Sequence, residues 1–276
     1  MATILKYNNT IYKQNNKPVK INWNSGDGLY FGKTDNNDFV TCGLSTPNIR
    51  FSKSSTFSFA QSFLYRSHIN TSGATFQNRV FGIIETVPFT GMYPLNAFSV
   101  ASNQFISAIN WYQSGIAGNT RFVIPTPVEN TVCHLVMTHN GVDLQNEKCY
   151  FNGIEITNKT ITNNNLVDVS PLASEPFRIG FSGSISSKCI NYDLKIFDKE
   201  LTDLEVKELY YKQNQIIPAS AMSSLQADWR FNQRSGTTLK DYSPNGYNGT
   251  LTNFNNVTLG ASNQWVYNNN NPITQY

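Results

Sequence analysis

The stretch Ile190-Asn-Tyr-Asp-Leu-Lys-Ile-Phe-Asp-Lys-Glu-Leu-Thr-Asp-Leu-Glu-Val-Lys-Glu-Leu-Tyr210 changes from the period of a strand to the period of a helix. Its first part alternates, which predicts a strand with two unlike faces. One face holds Ile190, Tyr192, Leu194 and Ile196, and the other holds Asn191, Asp193, Lys195 and Phe197. The shorter alternation in Phe177-Arg-Ile-Gly-Phe181 predicts a half-buried strand just before it.

The second part of the stretch carries a helix start. Thr202 and Glu205 are spaced as a capping box, in which each side chain binds the backbone N–H of the other residue. Leu201 and Val206 are spaced as the hydrophobic staple that accompanies it. The pattern predicts one short helix over about 202–213 that lies across the edge of a sheet.

The remainder of the chain reads as strands separated by Gly, Pro and Asn, which predicts an all-β protein. In the strand that begins near Ser55, Phe57 and Phe59 alternate with Ser58 and Ala60. This alternation predicts one buried face and one small, solvated face.

Three runs of sequence resemble the laminin-G-like domains of the concanavalin A-like superfamily. The first is Tyr192 to Tyr210, and the second pairs His134-Leu-Val-Met-Thr-His-Asn-Gly141 with Lys148-Cys-Tyr-Phe-Asn-Gly-Ile-Glu-Ile156. The third runs from Asp228 to Leu251. The resemblance implies a jelly-roll β-sandwich of two antiparallel sheets.

The third run stands in an unexpected place, because in the family it opens the domain and here it follows the closing helix. Either a second, truncated domain begins there or the fold is circularly permuted. Only 51 residues follow Leu225, too few for a second core, so permutation is favoured. We expect a sandwich over 23–276, in which 225–265 supplies the strands that usually open the family's domain.

Residues 1–22 precede the resemblance and contain four lysines and no acid. The pair Asn8-Asn9 lies between two short alternating segments, which predicts a hairpin with a two-residue loop. This segment is either a docking arm that adds a strand to a partner's edge or the first strand of the sandwich edge.

Composition excludes several classes of function. Only 14% of residues are charged and the net charge is +3, without a cluster of Lys and Arg, so no nucleic-acid partner is expected. No apolar run is long enough to span a membrane, and the start lacks the apolar core of a secretion signal, which favours a protein made in the cytoplasm. The spacing of the four cysteines, Cys42, Cys133, Cys149 and Cys189, suits no metal site. Because the protein is expected to be made in the cytoplasm, we predict that all four are reduced.

Catalytic residues are not apparent in the sequence, so a protein without enzymatic activity is expected. The superfamily's glycosidases carry their carboxylates as E-x-D-x-x-E on one strand, and no such run is present. His134 and His139 would lie on opposite faces of a shared strand and could not bind one ion. A glycoside hydrolase-like enzyme with a non-standard carboxylate pair remains the alternative.

No cofactor is required by the sequence, but the resemblance implies a candidate site for structural calcium. Some relatives hold Ca²⁺ with one Asp of the closing strand, and the matching residue is Asp193. Asp241 lies in a second oxygen-rich turn, and oxygen ligands suit Ca²⁺. Alternatively, Asp193 accepts hydrogen bonds from the next loop and Asp241 makes an Asx-turn.

A candidate carbohydrate site surrounds Trp111. Sugars need an aromatic ring for their apolar face and amides for their hydroxyls, and Trp111 is flanked by Asn110 and Tyr112, with Tyr93 expected nearby. Packing of Trp111 in the core is an equal alternative.

The function predicted from these features is a non-enzymatic recognition or structural module. By architecture it resembles the virion proteins of tailed phages, in which such domains decorate fibres or capsids. The expected partners are other virion proteins, a cell-surface glycan, or further copies of the chain in a homo-oligomer. A free carbohydrate-binding lectin domain and a purely structural decoration protein are the alternatives.

Overall fold

The computed structural model describes a large part of the chain. The described residues are 3–4, 6–7, 10–11, 13–14, 17–18, 20–21, 28–31, 39–42, 51–65, 77–84, 91–99, 104–113, 116–128, 131–162, 177–182, 185–186, 190–212, 216–252, 254 and 265–266.

The strands are short in the first 21 residues and longer afterwards. The short ones are β1 (Thr3–Ile4), β2 (Lys6–Tyr7), β3 (Thr10–Ile11), β4 (Lys13–Gln14), β5 (Lys17–Pro18) and β6 (Lys20–Ile21). Those that follow are β7 (Gly28–Tyr30), β8 (Phe39–Thr41), β9 (Thr56–Tyr65), β10 (Gln77–Arg79), β11 (Phe81–Ile84), β12 (Gly91–Ser99), β13 (Gln104–Gln113), β14 (Ile116–Ile124) and β15 (Thr131–Asn140).

The second half continues with strands and holds the helix. Its elements are β16 (Lys148–Phe151), β17 (Ile154–Ile156), β18 (Lys159–Thr162), β19 (Arg178–Ile179), β20 (Phe181–Ser182), β21 (Ile185–Ser186), β22 (Ile190–Phe197), α1 (Asp203–Tyr211), β23 (Leu225–Trp229), β24 (Thr238–Leu239), β25 (Gly249–Thr252) and β26 (Trp265–Val266). Two 3₁₀ turns span Leu144–Asn146 and Ala219–Ser224.

Two large sheets form the body of the protein. Sheet I has the order β18-β14-β13-β12-β11-β19-β8-β25-β24, with β10 also paired to β12. Sheet II has the order β17-β16-β15-β9-β22-β7-β26, with β23 also paired to β22. All of these described pairs are antiparallel, which confirms the predicted all-β sandwich.

Aromatic side chains from both sheets meet in the core between them. Phe57 of β9 approaches Trp111 of β13 with ring centroids 6.1 Å apart, and Phe59 approaches Phe81 of β11 at 5.5 Å. All four side chains are fully buried. Rings of this size remove much apolar surface from water and so contribute strongly to the stability of the sandwich.

Helix α1 begins at the predicted residues, but it packs on a face of sheet II and not across a sheet edge. The hydroxyl of Thr202 accepts from the Glu205 N–H, and the Glu205 carboxylate accepts from the Thr202 N–H, so the capping box is confirmed. The helix covers the outer face of sheet II, not its edge: Val206 and Leu209 share an apolar cluster with Ala60 of β9. The predicted solvated face is therefore wrong, because α1 buries it.

A bulge in β22 changes which side chains face the core. Ile190 pairs with Leu64 and Asn191 with Phe63, but the register then shifts before Asp193. Asn191 consequently shares the core face of Phe63, whereas Ile190 joins Leu64 and Tyr192 in a separate outer cluster. The predicted alternation holds from Asp193 to Phe197 and is wrong for the three residues before it, since a bulge inserts one residue into the alternation.

The segment after the helix contributes strands to both sheets. β23 pairs with β22 and β26 with β7 in sheet II, and β25 pairs with β8 in sheet I. Trp229 of β23 is fully buried in the common core. The strand predicted around Ala227 therefore lies inside the same sandwich, while circular permutation stays a prediction.

The first 21 residues form pairs of their own. β2 pairs with β3 around Asn8-Asn9, as the hairpin prediction requires, β4 pairs with β5, and β1 pairs with β6. Among the described residues, none of these six strands pairs with a strand of the sandwich. The pairings do not support the alternative of a first sandwich strand.

Candidate functional site

Trp111 lies in the core and is not available to a ligand. Its side chain is 0% exposed, and its indole N–H donates to Oε1 of Glu147 at 3.0 Å. The residues opposite it in the register are Met92, which is buried, and Gly118, which has no side chain to displace the indole. Trp111 therefore packs in the core, as the alternative stated, and the prediction that it binds sugar is wrong.

The indole belongs to a buried polar cluster that the sequence analysis did not identify. Nδ1 of His139 lies 3.0 Å from Oε1 of Glu147, and Nε2 of His139 lies 2.6 Å from the carbonyl oxygen of Lys53. His139 and Glu147 are both fully buried. Polar contacts between strands and a 3₁₀ turn satisfy groups that would be costly to bury alone, so the cluster has a structural role.

The other histidine follows the prediction. His134 and His139 share β15, where His134 pairs with Ser62 and His139 with Phe57, so they point to opposite sides of sheet II. Among the described residues, no group of three or more His, Cys, Asp or Glu side chains could hold a metal ion.

The other predicted sugar-binding positions come together on the outer face of sheet I. Tyr93 of β12 pairs with Asn110 of β13, and Asn110 pairs with Asn119 of β14. Asn119 in turn pairs with Thr162 of β18. Directly paired residues project from the same side of a sheet, so these four positions form one row across four strands, which we call the amide row.

The amide row lies on the opposite side of sheet I from the core. Asn110 alternates with Trp111, which faces the core, and both Asn110 and Asn119 are half-buried while Thr162 is exposed. Position 112 is two residues from Asn110 on the same strand and therefore belongs to the same side of the sheet. The side chains of Tyr93 and Tyr112 lie outside the described part of the structure.

A second line of polar positions runs beside the amide row. Two positions further along each strand, Ala108 pairs with Arg121 and Arg121 with Thr160. Arg121 is half-buried and Thr160 is exposed. This part of the outer face of sheet I thus combines amides, hydroxyls and the guanidinium of Arg121.

The two candidate calcium ligands accept hydrogen bonds from the protein. Oδ1 of Asp193 accepts from the backbone N–H of Ser62 at 3.1 Å. Asp241 accepts from the backbone N–H groups of Asp228, Ser243 and Tyr247 at 2.7–2.9 Å, and from the Ser243 hydroxyl at 2.7 Å. Four donors share the two oxygens of Asp241, so its carboxylate anchors the turn that the Asx-turn alternative predicted.

The described cysteines suit the prediction of reduced residues. Cys42, Cys133 and Cys149 are free and buried, and Cys189 lies outside the described residues. Burial raises the pKa of the Cys42 thiol, with a further contribution from the nearby Asp241 charge. Burial likewise raises the pKa of the Cys149 thiol. Thiols that stay protonated are poor nucleophiles and poor metal ligands.

Comparison with known proteins identifies the fold of this chain but no family or function. No protein-family model matches the sequence, and no curated protein matches it either. Solved structures do match: a candidate carbohydrate-binding protein from Bacteroides ovatus ATCC 8483 superposes with a TM-score of 0.53 at 15% identity, over 86% of this chain and 59% of that one. The chain therefore spans about three fifths of the length of the Bacteroides protein.

Two further structures illustrate the range of these likenesses. The enzymatically active domain of tailspike protein 2 from bacteriophage CBA120 has a TM-score of 0.50 at 10% identity, over 74% of this chain and 30% of that one. A SAP-like pentraxin from Limulus polyphemus has a TM-score of 0.48 at 12% identity, over 69% and 83%. Identities this low show the fold alone. The protein has an antiparallel β-sandwich fold.

Within the residues that the structure describes, no helix is long and apolar enough to cross a membrane.

Proposed function

We propose that this protein is a non-enzymatic recognition module that binds carbohydrate on the outer face of sheet I. The amide row carries the proposal, because it aligns Asn110, Asn119 and Thr162 with Tyr93 across four neighbouring strands. Amides and hydroxyls both donate and accept hydrogen bonds, as the hydroxyls of a sugar do. The sequence places a tyrosine, Tyr93, at the end of this row, and an aromatic ring is what the apolar face of a sugar needs.

The location on a sheet also favours recognition. Side chains on paired strands are held in register by the backbone ladder, so the row is organised before a ligand arrives, and the entropy lost on binding is reduced. The spacing between neighbouring strands is about 4.8 Å, which is comparable to the repeat of a sugar ring. An extended oligosaccharide could therefore contact successive strands along the row.

A glycan array tests this proposal with the purified protein and two variants. We expect wild-type protein to bind a defined set of glycans, and Asn110→Ala and Asn119→Ala each to weaken that binding by about tenfold. Asn146→Ala is the matched control, since Asn146 is exposed in the 3₁₀ turn, which contacts the core-facing residue Thr120 of β14 and not the amide row. Equal binding by all four proteins, or binding to no glycan, would refute the proposal.

The enzymatic alternative is addressed by the products of the same glycans. Three carboxylates are engaged by the protein itself, which supports the predicted absence of catalysis: Asp193 and Asp241 accept backbone N–H groups, and Asp228 pairs with two cations. We expect the mass of every bound glycan to be unchanged after prolonged incubation with the protein. A shorter glycan, or one that has gained water, would identify a glycosidase.

The biological setting is a separate part of the proposal: a fibre or capsid decoration protein of a phage virion, attached through residues 1–22. The pairing of the six short strands with one another supports a separate attachment segment. Deletion of residues 1–22 should abolish incorporation into virions, as measured by mass spectrometry of purified particles, and leave glycan binding intact. Incorporation of the deletion variant at the wild-type level would leave the free lectin domain as the better description.

A further inference from the structure

A second exposed site surrounds Tyr242, far along the chain from the amide row. The guanidinium carbon of Arg230 and Nζ of Lys240 each lie 4.8 Å from the centroid of the Tyr242 ring. The Tyr242 hydroxyl donates to Oδ1 of Asn232 at 3.0 Å. Tyr242 is 39% exposed, and Arg230, Lys240 and Asn232 are exposed as well.

The carboxylate of Asp228 holds the guanidinium of Arg230 in one orientation. Its Nε and Nη2 lie 2.9 Å and 2.7 Å from the same oxygen, Oδ2 of Asp228. Asp228 is itself fixed, because it is buried and its Oδ1 lies 2.7 Å from Nζ of Lys195. Asp228 therefore engages one edge of the guanidinium, and among the described residues Nη1 has no hydrogen-bond partner.

The charges of this cluster do not cancel. Lys195 and Arg230 pair with one carboxylate, Asp228, and Lys240 adds a third positive charge beside Tyr242. The second acid nearby, Asp241, is buried and accepts four hydrogen bonds inside its own turn. Among the described residues, Lys240 forms no ion pair. The segment 230–240 contains no acidic residue, so its exposed surface is positive.

The polar groups that remain at this surface are mainly donors. Nη1 of Arg230 and the ammonium of Lys240 donate, and the Asn232 amide nitrogen is left to donate because Oδ1 of Asn232 already accepts from Tyr242 and from Gln233. A cluster of donors with excess positive charge selects a ligand that accepts hydrogen bonds and carries negative charge.

The geometry points to a binding site at Tyr242 for the carboxylate of an acidic saccharide. The free end of the Arg230 guanidinium is a planar fork that matches a carboxylate, and Lys240 adds a second charge beside it. Asn232 and the exposed part of the Tyr242 ring would contact the hydroxyls and the apolar face of the same sugar. This site is independent of the amide row, so either can fail without the other.

Isothermal titration with an oligogalacturonate tests the site, with a neutral galacto-oligosaccharide of the same length as the reference. We expect the oligogalacturonate to bind and the neutral sugar to bind at least about tenfold more weakly at this site. Arg230→Lys keeps the charge but removes the fork, and should weaken oligogalacturonate binding by about tenfold. Lys240→Gln should weaken it and reduce its dependence on salt.

Two controls separate the site from general charge effects. Lys207→Gln makes the same charge change on helix α1 and should leave the affinity unchanged, while Asn146→Ala, in the exposed 3₁₀ turn outside both candidate sites, should also leave it unchanged. An equal loss with Lys207→Gln and Lys240→Gln, or no loss with Arg230→Lys, would overturn the assignment. Binding of an oligoglutamate peptide as tightly as the oligogalacturonate would show that the surface recognises acidic peptides instead.

Discussion

Nζ of Lys195 lies 2.7 Å from Oδ1 of Asp228, and each of the two side chains is only 1% exposed. The residues are direct partners in the β22–β23 ladder, so an ion pair in a buried position joins the strand before the helix to the strand after it. A buried charge is tolerated only with its partner. The pair therefore links the segment after the helix to the body of the sandwich.

Breaking this pair from one side should destabilise the protein more than removing it altogether. We expect Lys195→Met and Asp228→Leu each to lower the free energy of unfolding by about 3–5 kcal/mol, since each leaves a charged partner uncompensated in a buried position. The double variant Lys195→Met with Asp228→Leu should be more stable than either single variant. Urea denaturation of the four proteins measures this, and additive losses would show that the two side chains do not interact.

The segment after the helix should be required for folding. Truncation after Pro218 removes all four strands from β23 to β26, and with them the buried Trp229. We expect the fragment 1–218 to lack a cooperative thermal transition by circular dichroism. A soluble fragment that melts like the full chain would show that residues after 218 form a separate unit, as the truncated-domain alternative requires.

Stability should fall in acid because of the helix start. Burial raises the pKa of Glu205, but hydrogen bonds from Lys199, Ser220 and Thr202 outweigh it and lower the pKa to about 2 from its ordinary value of 4.5. A carboxyl whose pKa is lower in the folded state stabilises the protein fully above its unfolded value and loses that contribution as the pH falls through the folded value. The relevant window is therefore pH 4.5 down to about 2.

The Glu205 contribution is on the order of 2–3 kcal/mol, and urea denaturation across this window measures it. Glu205→Gln should lose stability at neutral pH and show a flatter dependence on acid. Glu208→Gln is the matched control, because Glu208 makes an exposed pair with Lys212 in the same helix. If both variants keep the wild-type dependence on pH, other carboxyls are responsible.

Removal of divalent cations should leave the melting temperature unchanged. The described acceptors at Asp193 and Asp241 are engaged by N–H and O–H donors, so no calcium is needed to balance the Asp241 turn. Asp241→Asn should destabilise the protein equally in calcium and in EDTA. A melting temperature that falls in EDTA, recovers with calcium and becomes insensitive in Asp193→Asn would instead establish a structural calcium site.

The sequence predicted the parts of the fold that depend on local patterns. The capping box at Thr202 and Glu205 and the opposite faces of His134 and His139 follow from spacing alone, and the structure confirms them. The bulge before Asp193 could not be predicted, because the extra residue is accommodated by pairing with β9, which is distant in sequence. The burial of Ser58 has the same cause, since it depends on where α1 packs.

The candidate site likewise has features that local sequence patterns predict and features that depend on strand pairing. The sequence analysis grouped Asn110 with Trp111, but neighbours on one strand project from opposite faces, and the sequence did not show which face is the core. Asn119 and Thr162 were not identified, because their neighbourhood with Asn110 is set by the register of three strand pairs. Arg230 and Tyr242 gave no signal, since their contact depends on the turn that Asp241 anchors.

An NMR titration of ¹⁵N-labelled protein with a glycan selected on the array shows which residues contact the bound ligand. The proposal predicts that the amide signals that shift on saturation with a neutral glycan cluster at Asn110, Asn119 and Thr162. The signals of α1 and of the 230–242 segment should stay in place. Shifts confined to any other face of the sandwich, with the amide row unchanged, would contradict carbohydrate recognition by the outer face of sheet I.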